Sequence, residues 1–386
     1  MGRVKLPDDA PVREIRMKKS QGPKLYTKVK SLGKGSFGTV FLVAHKESGE
    51  LLVMKEVWLR GLSQQESLRQ AKEVSFLKRL NHPHLTAYRA SHVETSSLTL
   101  FIILEYCDGG DLGSRIVRQA KKGPPFAEPL AVKWLAQCAS ALAYCHHELK
   151  LLHRDIKPAN VLLTGAEDDV KIADFGLSKS LAASHMQANT QLGTPLYMSP
   201  ELCQGAPYDR SADVWALGCT LYHAMALQPP WSSVPTGGKG GGMNGMMSLI
   251  RRIIAEPLDF APLRSHFSEA LCGLVASMVA KEQSARPQLL REVLGAPLVR
   301  ASPGYEALVA WQENRQEVGM LAAAAAWFGK LMGGDGDEGG GGRGGEGSAS
   351  GPNAEARVEV AAGIEVHAAA AVLQRSFHRR QRLIRR

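Results

Sequence analysis

The sequence has few of the features that mark secreted, membrane-spanning or metal-stapled proteins. Its 386 residues contain six cysteines with no C-x-x-C pair, so neither a disulfide framework nor a zinc site is expected. No apolar run approaches the length of about 18 residues that a membrane span needs. The first 20 residues lack an apolar core, and Leu6 stands where a myristoylation signal has Ser or Thr, so we expect neither signal. These absences favour a reduced, cytoplasmic protein.

Composition and charge are those of an ordinary globular chain with one unusual end. Apolar residues make up 44% and charged residues 22% of the sequence, which excludes a wholly disordered or collagen-like protein. Six of the net +10 charges are arginines among the last 12 residues, where no acid occurs. The remainder is therefore close to neutral (+10 − 6 = +4). The basic balance does not predict specific binding of nucleic acid.

The sequence pattern divides the chain into five predicted segments. A polar, basic arm covers residues 1–25 and is followed by a folded region, residues 26–298, of the α+β class. Residues 299–332 predict a helical extension with an Ala-rich centre. Residues 333–357 form a Gly-rich linker that is unable to fold alone, and residues 358–386 predict a basic amphipathic helix.

Within the folded region, apolar periodicity predicts a small β-rich part followed by a larger helical part. Strands are predicted at residues 39–43, 51–57, 99–106, 161–163 and 171–173. Helices are predicted at residues 65–80, 129–147, 208–226, 264–281 and 288–294. Residues 237–247, with the sequence GGKGGGMNGMM, predict a flexible surface insertion.

A glycine-rich run at residues 33–40 has the pattern G-x-G-x-x-G-x-V. Such glycines can serve a hairpin alone. A dinucleotide-binding turn needs a helix after the glycines, and here a strand follows. A strand–turn–strand flap can instead cover phosphates with its backbone amides. The nucleotide-facing candidates are Leu32, Gly33, Lys34, Gly35, Ser36, Phe37, Gly38 and Val40.

Lys55 lies on the next predicted strand, 20 residues after Gly35. A lysine on an outer strand is usually solvated. With the flap upstream, Lys55 can instead reach the α- and β-phosphates of a nucleotide, provided that a carboxylate holds it. Glu73 is the candidate for that role. Glu66 lies on the same predicted helix, and spacing alone does not exclude it.

The most specific motif is HRDIKPAN at residues 153–160. Asp155 is predicted to accept the hydrogen bond of an attacking hydroxyl, and Lys157 to neutralise a γ-phosphate. Asn160 is predicted to bind Mg²⁺. Asp174, which begins a D-F-G run 19 residues after Asp155, would hold a magnesium ion that bridges the β- and γ-phosphates. Together, in this order, these residues predict a phosphoryl-transfer site.

These motifs resemble those of a eukaryotic protein kinase catalytic domain, and the resemblance covers residues 26–298. Ser199-Pro200-Glu201 stands in place of Ala-Pro-Glu. Within kinases, three stretches of the sequence, at residues 104–112, 153–158 and 193–201, are similar to those of the NIMA-related family. The resemblance implies a two-lobed fold with a small β-rich lobe and a larger helical lobe. It also implies a non-specific serine/threonine protein kinase that uses ATP and Mg²⁺ and acts on protein substrates.

The resemblance also implies roles for residues outside the main motifs. Glu105 and Cys107 match the hinge that binds adenine through its backbone, and Cys107 is interpreted as an ordinary hinge residue rather than a reactive thiol. Asp213 matches the aspartate that braces the catalytic loop. Arg286 matches the arginine that pairs with Glu201.

The segment between Asp174 and Glu201 predicts regulation. In kinases of this kind, Thr194 lies in a motif that packs by the catalytic loop and helps to select Ser or Thr. Thr190 is therefore the better phosphorylation candidate, and Arg154 is predicted to bind its phosphate. The alternative is that Thr190 is one more exposed hydroxyl.

Two further alternatives stay open at this point. A pseudokinase scaffold would use the fold only for binding, although such proteins usually lack one of Lys55, Asp155, Asn160 or Asp174. For the tail at residues 358–386, helical spacing places apolar residues on one stripe and arginines opposite. This pattern predicts binding to a calmodulin-like protein or an anionic membrane surface; the alternative is a solvated, disordered end.

Overall fold

A computed structural model of the chain describes most of residues 22–306 and a short stretch beyond them. The described residues are 22–35, 38–61, 74–165, 168–174, 196–231, 242–306 and 308–313. The chain divides into two compact units, Met1–Glu306 and Ala307–Arg386. In these described stretches, no helix has the length and apolar character that crossing a membrane requires.

Five antiparallel strands form the N-terminal part of the first unit. They are β1 (Tyr26–Gly35), β2 (Gly38–His45), β3 (Leu51–Trp58), β4 (Tyr88–Glu94) and β5 (Thr99–Glu105), in the sheet order β1-β2-β3-β5-β4. Alternate apolar residues face one side, as the pleat requires, and form a buried cluster of Val43, Leu52, Met54, Phe101 and Ile103. The strands predicted in this part of the chain are confirmed.

The sequence pattern does not predict β4. Its sequence, YRASHVE, lacks apolar alternation, and none of its residues is fully buried. The strand lies at the edge of the sheet beside β5. An edge strand can carry polar and charged residues because its outer side faces solvent.

The rest of the first unit is mostly helical. Its α-helices include, within the described residues, α1 (Leu112–Lys122), α2 (Glu128–His147), α3 (Pro200–Cys203), α4 (Ser211–Ala226), α5 (Gly242–Ala255), α6 (Glu269–Met278) and α7 (Pro297–Arg300). A small sheet consists of β6 (Gly110–Asp111), β7 (Val161–Thr164) and β8 (Asp169–Ile172). The predicted two-lobed α+β architecture is confirmed.

Helices α2 and α4 lie at the centre of the helical lobe. Most of their residues are buried, including Trp134 on α2 and Trp215 on α4. A helix that is apolar on nearly all sides is one that the core surrounds. Helix α4 begins at Ser211 rather than at Tyr208. Just before it, the Asp209 carboxylate accepts a hydrogen bond from the Ser211 N–H, 2.8 Å away, as in an Asx-type turn.

The predicted flexible insertion at residues 237–247 is wrong in its second half. Helix α5 begins at Gly242 and includes residues 242–247. Leu249 and Ile253, four residues apart on this helix, are completely buried. Burying two such side chains contributes more than the roughly 1 kcal/mol that a helical glycine costs. Residues 237–241 lie outside the described residues.

Other predicted helices differ from the structure in extent. Helix α6 starts at Glu269, after a short 3-10 turn at Ala261–Leu263, and not at residue 264. Residues 289–293 form a π-helical turn. Of the helix predicted at residues 65–80, only residues 74–77 are described as helical. In the second unit residues 308–313 are helical, while the predicted linker and tail helix lie outside the described residues.

Candidate active site

The glycine-rich hairpin is the turn that joins β1 to β2. Gly33 pairs with Val40, and Gly35 pairs with Gly38 across the turn. Residues 36–37, at the tip, lie outside the described residues. The predicted strand–turn–strand arrangement is therefore confirmed on both sides of the tip.

Packing against β3 requires glycine at position 38. A Cβ atom at Gly38 would lie 1.7 Å from the carbonyl oxygen of Glu56, far inside the contact distance of about 3.5 Å. A Cβ at Gly33 would meet nothing within 4 Å. Leu32, which is 43% exposed, and Lys34 both lie on the exposed part of β1. Besides the predicted approach of the backbone to phosphates, packing within the sheet is thus a second reason for glycine at position 38.

Lys55 connects the sheet to the end of the short strand β8. It pairs with Val40 across β2 and β3, and its Nζ lies 3.9 Å from Oδ1 of Asp174, with the two side chains 30% and 64% exposed. An ion pair of this length and exposure is strongly screened by water. Glu73 and Glu66, the predicted carboxylate partners, both lie outside the described residues.

Asp213 anchors the backbone of the predicted catalytic loop. Its carboxylate accepts hydrogen bonds from the N–H groups of His153 and Arg154, both at 2.8 Å. The Nε2 atom of His146 lies 2.8 Å from the same carboxylate. Burial alone would raise the pKa of Asp213, but the hydrogen bonds and positive charge around it lower the pKa below its usual value. The loop is thus fixed by a buried carboxylate on the first turn of α4.

The buried ring of His153 also holds the catalytic loop, through contacts at both of its ring nitrogens. Its Nδ1 accepts a hydrogen bond from the Asp155 N–H, 3.3 Å away, and its Nε2 lies 3.0 Å from the carbonyl oxygen of Ala173. A carbonyl can only accept, so Nε2 carries the proton. Burial lowers the pKa of His153, which keeps the ring neutral. The ring therefore links the loop to the residue that precedes Asp174.

Asp155, Lys157 and Asn160 lie together, as the motif predicts. Lys157 Nζ is 3.0 Å from Oδ2 of Asp155. The Asn160 side-chain amide donates to Oδ2 of Asp155 at 2.8 Å and to the Asp155 carbonyl oxygen at 2.7 Å. Two neighbours thus fix the direction of this carboxylate, which keeps part of its surface exposed to solvent.

Asn160 and Asp174 offer oxygen atoms of the kind that magnesium prefers. Because the Asn160 amide nitrogen donates to Asp155, its amide oxygen is the remaining polar atom of the side chain. The Ala173 N–H donates to the Asn160 carbonyl oxygen at 2.9 Å, which ties the two elements together. Asp174 has φ of 55°, so its carboxylate follows a sharp backbone turn. Across the described residues, no group of three His, Cys, Asp or Glu side chains could hold a metal by itself.

The predicted hinge follows β5. The Glu105 N–H donates to the Ala87 carbonyl oxygen at 2.9 Å, and its carboxylate accepts from the Ala87 N–H and forms an ion pair with Lys171 at 3.0 Å. The Glu105 side chain is thus occupied by structural contacts. Cys107 is buried, and burial raises the pKa of its thiol to about 12. A thiol with that pKa is inert at neutral pH.

Arg154 adopts a left-handed backbone conformation, with φ of 67°. Its guanidinium lies over the ring of Tyr208, 5.5 Å from the ring centroid, in cation–π geometry. The side chain is exposed. Thr190 and Thr194, the predicted regulatory and substrate-contacting residues, lie outside the described residues.

A buried ion pair between Arg286 and Glu201 fixes the start of helix α3. The Arg286 guanidinium makes two hydrogen bonds to the Glu201 carboxylate, at 2.7 and 2.8 Å. It also donates to the carbonyl oxygens of Ala280 and Lys281 and lies 5.0 Å from the Trp215 ring centroid. Burial would raise the pKa of Glu201, and the hydrogen bonds from Arg286 lower it. The pairing expected from the resemblance is present.

Sequence reasoning missed three polar partners of the site. His146 contacts the Asp213 carboxylate, and the Arg154 guanidinium lies over the Tyr208 ring. The Tyr197 hydroxyl lies 2.7 Å from Nδ1 of His223. Each pair joins residues that are far apart in the chain. No local spacing could have revealed them.

Comparisons of the sequence with known proteins agree with the geometry of this site. A family model described as the protein kinase domain matches residues 26–299. Serine/threonine-protein kinase Nek1 of Mus musculus is 35% identical over 264 residues, which cover 68% of this chain and 20% of that protein. Nek5 of Homo sapiens is 35% identical over 264 residues, 68% of this chain and 35% of that protein.

A third relative is covered more fully. Serine/threonine-protein kinase Nek2 of Homo sapiens is 34% identical over 278 residues, which cover 71% of this chain and 59% of that protein. The matched part of the chain thus spans from a fifth to about three fifths of the length of these relatives.

Proposed function

We propose that this chain, which belongs to the protein kinase family and is similar to the NIMA-related serine/threonine kinases, transfers the γ-phosphate of ATP to hydroxyl groups of proteins. The observation that carries the proposal is the Asp155 carboxylate, directed by Lys157 and Asn160 in a loop that the buried Asp213 anchors. Phosphoryl transfer depends mainly on such positioning and on charge neutralisation.

Three side chains carry the proposed chemical step. Asp155 accepts the hydrogen bond of a substrate hydroxyl and takes its proton as the hydroxyl oxygen bonds to the γ-phosphorus. The bond from the γ-phosphorus to the bridging oxygen breaks, and ADP leaves. Lys157, 3.0 Å from Asp155, neutralises charge on the transferred group, and Lys55 binds the α- and β-phosphates.

The remaining proposed contacts hold the nucleotide and its metal ion. Asn160 and Asp174 supply the oxygen ligands for Mg²⁺, which neutralises charge on the β- and γ-phosphates. The glycine-rich hairpin, residues 33–38, covers the phosphates with its backbone. Glu105 and Cys107 bind adenine through backbone groups, in keeping with the structural contacts of the Glu105 side chain and the buried thiol of Cys107. The pairing of Lys55 with Glu73 completes the proposal.

Nothing favours the alternative of a pseudokinase scaffold. Lys55, Asp155, Asn160 and Asp174 are all present, and the last three occupy connected positions through Ala173 and the Asn160 side chain. The preference for serine and threonine, and a broad substrate range, are parts of the proposal that rest on the relatives and on Lys157.

Regulation by Thr190 is a further part of the proposal. A phosphate there would carry about −1.5 to −2 charges and would bind Arg154, whose guanidinium is exposed and held over Tyr208. Thr194 would contact the substrate near the catalytic loop. Replacing Thr190 by alanine should then lower activity, and phosphopeptide mapping of active protein should find the residue modified.

Location and tail partners complete the proposal. All six cysteines are free, which supports a cytoplasmic protein in a reducing compartment. The basic stripe at residues 358–386 is proposed to bind a calmodulin-like protein or an anionic membrane surface. Circular dichroism of the isolated segment tests this: helicity should rise with either partner at low salt, and no rise would return the tail to the disordered alternative.

The direct test of the proposed activity uses the full chain with ATP, Mg²⁺ and casein. Labelled γ-phosphate should appear on casein serine or threonine, and chelation of Mg²⁺ should stop the transfer. ATP binding without transfer by the wild-type chain would instead establish a binding module. The Asp155→Asn variant is the matched control for contaminating kinases.

A further inference from the structure

Helix α1 (Leu112–Lys122) carries four basic residues and no acidic one in its sequence LGSRIVRQAKK. One of the four, Arg115, is paired: its guanidinium lies 3.3 Å from the Asp168 carboxylate and over the Phe126 ring, 5.2 Å from the ring centroid. The other three are exposed, and none of them forms an ion pair with a residue that the structure describes. These three are Arg118, Lys121 and Lys122.

The three unpaired cations share one face of the helix with an exposed apolar side chain. At 3.6 residues per turn, Val117, Arg118, Lys121 and Lys122 fall within an arc of about 140°. Val117 is 57% exposed, whereas Ile116, the residue before it, is 1% exposed and faces the core. We call the four residues on the outer arc the α1 patch.

The α1 patch lies close to the catalytic loop. At Gly113, in the first turn of α1, a Cβ atom would lie 3.5 Å from Cβ of Pro158, so this end of the helix touches the loop. The patch extends from four to nine residues beyond Gly113 (117 − 113 and 122 − 113), or about 6–14 Å farther along the helix. Pro158 is three residues after Asp155 (158 − 155), at most about 11 Å of extended chain. Roughly ten extended residues of a substrate therefore bridge Asp155 and the whole patch.

The charge of the α1 patch favours an acidic partner. Three cations without a carboxylate produce a positive potential that attracts carboxylates and raises their local concentration. Val117 adds a small apolar contact. Binding in the plane of an anionic membrane would need a broad apolar face, but Leu112 and Ile116, the large apolar residues on the other side of this helix, are buried in the lobe. An acidic protein segment therefore fits the patch better than a membrane surface.

We propose that the α1 patch is a docking surface for an acidic segment of protein substrates, separate from the hydroxyl that is phosphorylated. The inference rests on the proposed kinase function and adds a substrate preference to it. A substrate with glutamate or aspartate about ten residues from its target hydroxyl then binds at two places. The second contact lowers the KM for that substrate, while kcat and the KM for ATP, which depend on the groups around Asp155 and Lys55, stay unchanged.

Two of the cations also have a purely structural explanation. Lys121 and Lys122 lie in the last turn of α1, directly before the C-cap residue Gly123, where cations stabilise a helix through its dipole. That explanation predicts a loss of stability on substitution and no preference for acidic substrates. It does not apply to Arg118, which lies one turn earlier.

The experiment measures transfer by the full chain to a pair of peptides that share one acceptor serine. In one peptide, a segment of glutamates around a leucine lies about ten residues from the serine. In the other, glutamines replace the glutamates, and both peptides are made with the segment before and after the serine. We expect the KM for the acidic peptide, in the better of the two orders, to be about tenfold lower than that for its glutamine counterpart. The preference should shrink as added salt shortens the screening length.

Two triple variants separate the α1 patch from the charge of the whole protein. Arg118→Gln combined with Lys121→Gln and Lys122→Gln should remove most of the preference and change kcat and the KM for ATP less than about twofold. The matched control replaces three exposed arginines on other elements by glutamine and should keep the preference. These arginines are Arg251, Arg291 and Arg300.

A single substitution keeps the test decisive if the triple variant of the α1 patch fails to fold, which thermal unfolding would show. Arg118→Gln leaves both lysines of the last turn in place, and it should raise the KM for the acidic peptide about two- to threefold. The KM for the glutamine peptide should not change. An equal rise for both peptides would contradict the inference.

Other results would also overturn it. Equal KM values for the acidic and glutamine peptides with the wild-type chain would remove the docking role, and so would an equal loss of preference in both triple variants. Binding to phosphatidylserine vesicles that only the α1 triple variant loses, without a peptide preference, would assign the patch to a membrane instead.

Absence of transfer by the wild-type chain would overturn the proposed function itself. Fluorescence anisotropy of the labelled acidic peptide with the full chain then decides separately on the α1 patch. Binding that the α1 triple variant loses and the control triple variant keeps would support an acidic docking surface. No binding to the wild-type chain would overturn it.

Discussion

The catalytic loop and the glycine-rich hairpin carry the two halves of the candidate site, and the fold holds them by different means. The loop is bound to the buried Asp213, which is 2% exposed, by two backbone hydrogen bonds of 2.8 Å. The hairpin is held by strand pairing at the sheet edge. Between the two halves, Nζ of Lys55 lies 3.9 Å from Oδ1 of Asp174, and both side chains are partly exposed.

This difference indicates which part of the site exists before a nucleotide binds. Hydrogen bonds to a charged group contribute about 1.5–3 kcal/mol each, whereas an exposed ion pair contributes at most about 1 kcal/mol. We therefore expect the groups proposed to face the substrate hydroxyl to be preorganised. The groups proposed to face the nucleotide would be brought together in large part by its phosphates and metal ion.

The largest expected effect is on the preorganised half. Asp155→Asn removes the proton acceptor but keeps the shape of the side chain, so kcat should fall by about 10²–10⁴-fold. Asp155 is partly exposed, and the melting temperature should stay within about 4 °C of that of the wild type. Steady-state transfer to casein and thermal unfolding measure the two quantities. Near wild-type turnover would show that Asp155 is not the hydroxyl-orienting base.

The corresponding test of the half of the site that is proposed to bind the nucleotide uses the variant Lys55→Met. The variant should lose most transfer, because the phosphates lose their cation, and it should also bind ATP more weakly. Loss of the ion pair with Asp174 should contribute less than about 1 kcal/mol to any change in stability, since that pair is long and partly exposed. Calorimetric ATP titration and urea unfolding check this. A loss of several kcal/mol would mean that the nucleotide half is held as firmly as the loop.

A stability effect of different origin is expected at the Glu201–Arg286 pair. Arg286→Met leaves the Glu201 carboxylate buried without its partner, which typically costs about 3–5 kcal/mol. Urea unfolding should show this loss. The double variant Arg286→Met with Glu201→Gln removes the stranded charge and should recover part of the stability. Equal losses in the single and double variants would contradict this explanation.

The smallest expected effect concerns pH and His223. Its pKa is about 4 in the folded chain, against 6.5 for an unperturbed histidine. The unfolded state therefore binds the extra proton first, and the stability that the neutral ring confers is complete above pH 6.5 and is lost as the pH falls towards 4. His223→Gln does not titrate, so its free energy of unfolding should fall less steeply in this range. The other buried histidines are common to both proteins, and identical slopes would contradict the prediction.

The groups of the catalytic loop could be predicted because they are close in sequence. Asp155, Lys157 and Asn160 lie within six residues, and one short loop brings their side chains into contact. Apolar alternation likewise predicted β2 and β3, which contribute one face to the core cluster, and an apolar run predicted β5, whose first five residues are all buried. The sequence pattern is sufficient to predict a group of residues when neighbouring backbone alone sets their relative positions.

The partners of these groups could not be predicted in this way. His146 and Asp213 are 67 residues apart, and Tyr197 and His223 are 26 apart. Their contacts depend on how helices pack, which no short-range spacing records. The error at residues 237–247 has the same origin: the composition indicated a loop, but the burial of Leu249 and Ile253 extends helix α5 back into this segment.

Amide hydrogen exchange of the full chain, with and without Mg²⁺ and a non-hydrolysable ATP analogue, tests the difference between the two halves most directly. We expect peptides from residues 153–160 to be strongly protected without nucleotide and to change little when it binds, because Asp213 already holds their backbone. Peptides from residues 33–40 should exchange faster and slow severalfold on binding. Equal protection of both peptides without nucleotide, or a larger gain in the loop than in the hairpin, would contradict the account.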